Sequence, residues 1–301
     1  MYPQAPCDVV MIRPHHFRSN PETQGDNAYQ TASVTDVSDT ARAEFDGVVA
    51  ALRKFGVAVH DFDDTSRDTP DSVFPNNWFS THAGGHVAVY PMYADNRRRE
   101  RRPDVIEHLK NAFRVQDVID YSGLEQDNLA LEGTGAMVLD HIGRVAYVAR
   151  SLRADPVLLE RFCTHFNFEP IAFDAADSAG QAVYHTNVLM AVGTRVALVG
   201  LDMISDPARR DMVRTRLEQT GREVIALSEA QINAFAGNAI ELEGSDGLFL
   251  ALSTTAHRGL TPQQITQIEK YATLLPLSIP TLETAGGSVR CMIAGLHLAR
   301  R

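Results

Sequence analysis

Five residues able to do or support chemistry recur at nearly even spacing: Asn77, Glu132, His185, Asn238 and Cys291, with gaps of 55, 53, 53 and 53 positions. Three of them are a thiol, an imidazole and a carboxylate. A thiolate attacks an electrophilic carbon, an imidazole moves protons near neutral pH, and a carboxylate orients either the imidazole or the substrate. Taken alone, a cysteine in an apolar run is commonly a small buried hydrophobe, and a lone histidine a satisfied strand residue. The shared spacing weighs against that reading, because unrelated core residues do not fall on one period.

The elements that must hold these residues are legible around them. The runs NNWFSTHAGGHVAVYP, GAMVLDHIGRVAYVAR, TNVLMAVGTRVALVG and NAIELEGSDGLFLALS each predict a β-hairpin, since two strand-length stretches flank a short turn containing glycine. Helices are expected over RRPDVIEHLKNAF, DPVLLERFCTHF, DPARRDMVRTRLEQTG and TPQQITQIEKYA, where Asp or an early Pro marks a start. Short strands such as EPIAFD and REVIAL complete each ββαβ unit. Five such units imply a ring, whose last unit is closed by pairing CDVVMIRP at 7–14 with GGSVRCMIAGLHLA at 286–299. The expected fold class is α/β, a five-bladed pseudo-symmetric propeller formed by one domain over residues 1–301. Each of the five residues would stand at or near the start of a first strand, and such starts converge on the axis of a ring.

Composition narrows the alternatives. With 301 residues, 44% of them hydrophobic, the chain can bury a large core. A net charge of −10 disfavours a polyanion partner, so no nucleic acid is expected. The run NRRRERRPD at 96–104 is read as a solvated loop and helix start, because no aromatics interleave with it. The N-terminus lacks a secretory pattern, and no apolar run approaches the roughly 18 residues of a membrane span. Cys7, Cys163 and Cys291 make an odd set without CxxC spacing, which fits a reducing, cytoplasmic setting. His82 and His86 flank AGG at a hairpin tip and are not expected to bind metal. EGTGAM holds a lone GxG without the rest of a dinucleotide fingerprint, so no cofactor is expected. Assembly into a homo-oligomer is left open.

With these residues in hand, the chain resembles the amidinotransferase and arginine deiminase superfamily, whose fold is the five-bladed α/β propeller called the pentein fold. LEGTGAM is similar to that family's Glu-Gly-Gly-Asp motif, HTN at 185–187 to its His-x-Asp motif, and VRCM to its nucleophile motif. FPNNWFS at 74–80 stands where the family commonly carries an Arg-Asp or Glu-Asp pair. The N-terminal MIRPHHFRSNPETQGDNAYQ looks closest to the bacterial subgroup of citrulline utilisation, similar to citrulline ureidase. The chain has no room for the helical insertion of bacterial arginine deiminases.

The resemblance implies Cys291, His185 and Glu132 as catalytic residues and a small amino acid as substrate. The chain departs from the pattern where arginine-processing members place acids: it has Asn77 and Asn187 instead, and Gly135 ends the glutamate motif. A guanidinium prefers paired carboxylates, whereas a neutral ureido group is matched by carboxamides carrying both donors and acceptors. Citrulline, hydrolysed to ornithine, carbon dioxide and ammonia, is therefore the expected substrate. Asn77, Asn187 and Asn238 are expected to line its cradle, with Arg13 and Arg290 as candidates for its carboxylate. Residues His15 to Gln30 are long and turn-rich enough to cap the ring. The alternatives are a deiminase, dihydrolase or amidinotransferase acting on arginine or a derivative, and a non-catalytic binding protein of the same fold.

Overall fold

The computed structural model describes residues 4–31 and 36–301. Its strands, in chain order, are β1 (Asp8–Pro14), β2 (Ala58–Asp64), β3 (Phe79–His82), β4 (His86–Val89), β5 (Asp117–Asp120), β6 (Val138–Asp140), β7 (Val145–Ala149) and β8 (Glu169–Phe173). They continue as β9 (Met190–Val192), β10 (Val196–Val199), β11 (Glu223–Ala226), β12 (Ile240–Gly244), β13 (Gly247–Ser253), β14 (Thr273–Leu277) and β15 (Ala294–Gly295). They form five three-stranded sheets of one plan: 3-4-5, 6-7-8, 9-10-11, 12-13-14 and 15-1-2. In each, the first two strands are antiparallel and the third returns parallel to the second, as in β6–β7 (Val138↔Tyr147) and β7–β8 (Val145↔Glu169). A parallel return needs a crossover, and the helices provide it.

Local chemistry starts those helices where the sequence indicates. Asp155 accepts from the backbone of Val157 and Leu158 ahead of helix Pro156–Phe166, and Asp206 caps Pro207–Gln219. Thr261 and Gln264 form a capping box at Pro262–Glu269. The middle strands β7 and β10 are buried along their whole length, so they read as continuous apolar runs rather than alternating ones. The fifth sheet joins the chain ends: β15 pairs with β1 (Val9↔Gly295), and Arg300 reaches Asp8.

The first strands depart from expectation at their entries. Cys291 lies within a single helical turn, Val289–Met292, and Glu132 and His185 immediately precede the turns Gly133–Ala136 and Thr186–Leu189. Asn77 ends the 3₁₀ turn Pro75–Asn77, and Asn238 lies just before β12. The reason is spatial: a helical residue advances about 1.5 Å against about 3.3 Å in a strand, so a coiled entry fits five segments of the one chain around a narrow axis. Consequently only Ala294–Gly295 of the expected C-terminal strand pairs with β1.

Candidate active site

The five evenly spaced residues do converge, and each is between 0% and 2% exposed. On one wall stands the thiol. Asn187 Nδ2 donates to Cys291 Sγ at 3.3 Å, and Asn238 Nδ2 donates to it at 3.2 Å. Asn238 also donates to the Asn187 carbonyl at 2.9 Å and accepts from the Cys291 backbone N–H at 3.4 Å. It therefore holds the nucleophile turn in place. Asn187 differs, because its Oδ1 is buried without a partner beside the thiol. Gly286, five residues before the thiol, adopts φ +80°, and a Cβ there would lie 2.4 Å from the Asn27 amide, so the Gly-Gly pair lets another segment close over the turn.

The opposite wall is charged. His185 Nε2 lies 2.9 Å from Glu132 Oε2, which also accepts from Arg97 Nη1 at 3.1 Å and Arg153 Nη1 at 3.4 Å. Glu132 Oε1 accepts the Tyr93 backbone N–H at 3.1 Å. Burial opposes ionisation of Glu132, but Arg153, Arg97 and His185 together hold it well below the usual carboxylate range. Burial also lowers His185 to about 4, against the pull of Glu132, so the imidazole is neutral at pH 7. A neutral ring whose Nε2–H faces a carboxylate has Nδ1 as its free base. A Cβ at Gly135 would lie 2.8 Å from that Nδ1 and 2.1 Å from the Asn77 carboxamide. The glycine that replaces the family's acid thus leaves the space these two groups occupy.

The segment 15–31 crosses this site. Asn20 donates to Asp71 at 2.7 Å, Asp26 grips Arg153 Nε and Nη2 at 2.7 and 2.6 Å, and Tyr29 packs on Tyr184 beside His185. Asp71 Oδ1 and Asn76 Nδ2 are likewise buried without partners. A buried polar atom left unpaired is unfavourable by roughly 1–3 kcal/mol, and three around one centre suit a polar ligand.

Several expectations need correction. Asn77 faces Arg97: with its carboxamide turned to satisfy both ends, the oxygen accepts from Nη1 and Nη2 at 3.2 and 3.0 Å. Arg13 is committed to Asp46, Asp61 and Asp63, because β2 and the helix Ser38–Lys54 surround its exposed end with acids. Arg290 donates to the Ile293 carbonyl and lines a separate recess, since its side chain leaves the nucleophile turn on the side away from the thiol's carboxamides. Asn238 directs its carboxamide to the Cys291 turn and the Asn187 carbonyl. The basic run is not wholly solvated either: Arg97 is 2% exposed, held by Glu100 at 3.0 Å as well as by Glu132. Sequence reasoning missed Arg97, Arg153, Asp71 and Asp26, which lie off the 53-residue period. Among the described residues, no group of three or more His, Cys, Asp or Glu is arranged to hold a metal, and no helix is long and apolar enough to cross a membrane.

Residues 13–298 match the family model for N,N dimethylarginine dimethylhydrolase, eukaryotic. The chain is also similar to a mutant N-terminal domain of ArgZ bound to substrate, described as an arginine dihydrolase from the ornithine-ammonia cycle in cyanobacteria. There the TM-score is 0.76 and the identity 16%, covering 96% of this chain and 98% of that one. AgrE in a ternary complex with ornithine and NAD+ gives 0.74 and 18%, over 98% of this chain and 40% of that one. A mutant DDAH from Pseudomonas aeruginosa complexed with citrulline gives 0.66 and 13%, over 97% and 99%. The chain spans 40% of the length of apo ArgZ. No curated protein matches it. At such identities these likenesses establish the fold, the five-unit propeller expected from the repeat and the pentein fold that the family resemblance implied.

Proposed function

This chain belongs to the N,N dimethylarginine dimethylhydrolase family, whose members are hydrolases of guanidino groups, and from that premise we propose that it hydrolyses citrulline to ornithine, carbon dioxide and ammonia. The proposed catalytic unit is the whole of residues 1–301. One observation carries the substrate choice: the group beside the thiol with unmet hydrogen-bonding capacity is the neutral Asn187 carboxamide, which donates to Sγ through Nδ2 and offers Oδ1 to a substrate N–H. A ureido group presents such an N–H without bringing a positive charge.

In the proposed reaction, Cys291 passes its proton to His185 Nδ1 and Sγ attacks the ureido carbon. The imidazolium, held by Glu132, returns that proton to the departing ornithine nitrogen as the C–N bond breaks, leaving an S-carbamoyl enzyme. Water then gives a proton to His185 and attacks the carbamoyl carbon. The C–S bond breaks, the thiol is reprotonated, and the released carbamate decays to carbon dioxide and ammonia. Glu132 acts by orienting His185, since its oxygens are already engaged by protein donors.

A second reading, hydrolysis of arginine, is favoured by one feature: the unpartnered oxygen of buried Asp71 attracts cations as well as neutral donors. Incubation with citrulline, arginine, agmatine and methylated arginines, with detection of ornithine, citrulline and ammonia, separates the two. Ornithine from citrulline supports the proposal, and ornithine from arginine alone replaces it.

A further inference from the structure

Behind the nucleophile turn, along the ring axis, lies a recess walled by the first strand of every unit. Its polar lining includes Ser80 and Thr81 of β3, His141 just past β6, Glu241 of β12, and Arg290 and His297 near β15. The coiled entries that carry Glu132, His185 and Cys291 separate it from the site described above. Its free space is on the scale of a few water molecules, which suits a ligand the size of glycine rather than a long amino acid.

Two of its walls carry opposite charges with unmet capacity. Glu241 is 3% exposed; its Oε2 accepts from Thr194 N–H at 2.7 Å and from the Thr194 hydroxyl, but its Oε1 has no partner. Arg290 donates to the Ile293 carbonyl at 2.9 Å and, among the described residues, meets no carboxylate. Glu241 and Arg290 line one recess, yet they form no ion pair with each other. The molecule that completes both is one carrying a carboxylate and an ammonium a few bonds apart.

We propose that this axial recess binds a small α-amino acid zwitterion, its carboxylate on Arg290 and its ammonium on Glu241. The site communicates with the thiol through short covalent paths. Arg290 adjoins Cys291 in one helical turn, its backbone N–H meets the Asn238 carbonyl at 3.3 Å, and Glu241 follows Asn238 by three residues. Neighbouring His141 and His297 stack 3.9 Å apart, and burial holds His141 well below its ordinary pKa, so that ring adds no competing positive charge at pH 7.

The test is calorimetric titration of the intact chain with glycine, and separately with acetate and with methylammonium. Glycine is expected to bind wild type, to weaken roughly tenfold or more in Glu241→Gln and in Arg290→Gln, and to bind Arg153→Gln, altered only at the thiol site, unchanged. Acetate and methylammonium are each expected to bind at least as weakly as glycine binds the recess variants. Glu241→Gln keeps an acceptor for Thr194 and the side-chain volume, so it remains informative if Arg290→Gln fails to fold. Absence of glycine binding to wild type overturns the proposal. So does binding lost in Arg153→Gln but kept in Glu241→Gln, and so does acetate binding as tightly as glycine. None of these outcomes depends on which compound Cys291 hydrolyses.

Discussion

Around Sγ of Cys291 the side-chain donors are carboxamides, from Asn187 and Asn238, whereas the wall behind His185 gathers Glu132, Arg97, Arg153 and Asp26. The neutral wall leaves an acceptor unmatched, while Glu132 on the charged wall has both oxygens engaged. This division separates two tasks. In the proposed reaction, charges fixed by one another keep the proton carrier aligned while burial holds its pKa down, and the neutral wall is left to read the substrate. Buried charges without such mutual compensation would be strongly destabilising.

The largest effect tests the neutral wall at its nucleophile. Cys291→Ser should abolish turnover while the thermal midpoint stays near wild type, because a serine hydroxyl is far less ionised near neutral pH. Cys163 cannot substitute, since burial pushes its thiol up to about 12. Appreciable turnover in a folded Cys291→Ser protein would break the covalent scheme.

Next, the charged wall. His185→Ala should lower kcat by roughly 10²–10⁴-fold in steady-state assays. The pH dependence has a definite sign. His185 is neutral in the fold until about pH 4, so kcat/KM should hold down to about pH 5 and fall toward 4, not near the ordinary 6.5. The unfolded chain takes up that proton near 6.5 and the folded chain does not, so this group's contribution to stability is present above 6.5 and is lost as pH falls toward 4. Glu132→Gln removes a group that raises His185, so NMR titration of His185 should then show a still lower value.

A smaller effect separates the two asparagines. Asn187→Asp should shift the arginine-to-citrulline affinity ratio toward arginine by roughly tenfold, measured in a Cys291→Ser background, because it puts a charge where the free acceptor now stands. Asn77→Asp should shift it less, since Arg97 neutralises the new charge. Equal shifts would mean that the walls are not distinct. The smallest effect is expected from Asp26→Asn. Removing one charge from the Arg153 grip should change KM only several-fold and leave kcat near wild type, because the residue touches neither the thiol nor the imidazole.

The period of 53 residues was readable because each unit repeats the same local instructions: a turn in a hairpin, an Asp, Thr or Pro that starts a helix, and an apolar middle strand. These act over a few residues, so Asn77, Glu132, His185, Asn238 and Cys291 declared themselves by position alone. Their division of labour was not readable, because it depends on residues outside the period. Arg97 sits in a basic run that looks solvated, and Arg153 and Asp26 are 127 positions apart yet form one fork. Chain geometry at the axis turned the expected strand starts into helical turns and sent Arg290 away from the thiol's carboxamides. Local spacing thus determined which residues meet, since the repeat converts sequence period into angular position around a ring. Only the tertiary structure decided what each one touches, because burial and charge compensation are settled by neighbours distant in the chain.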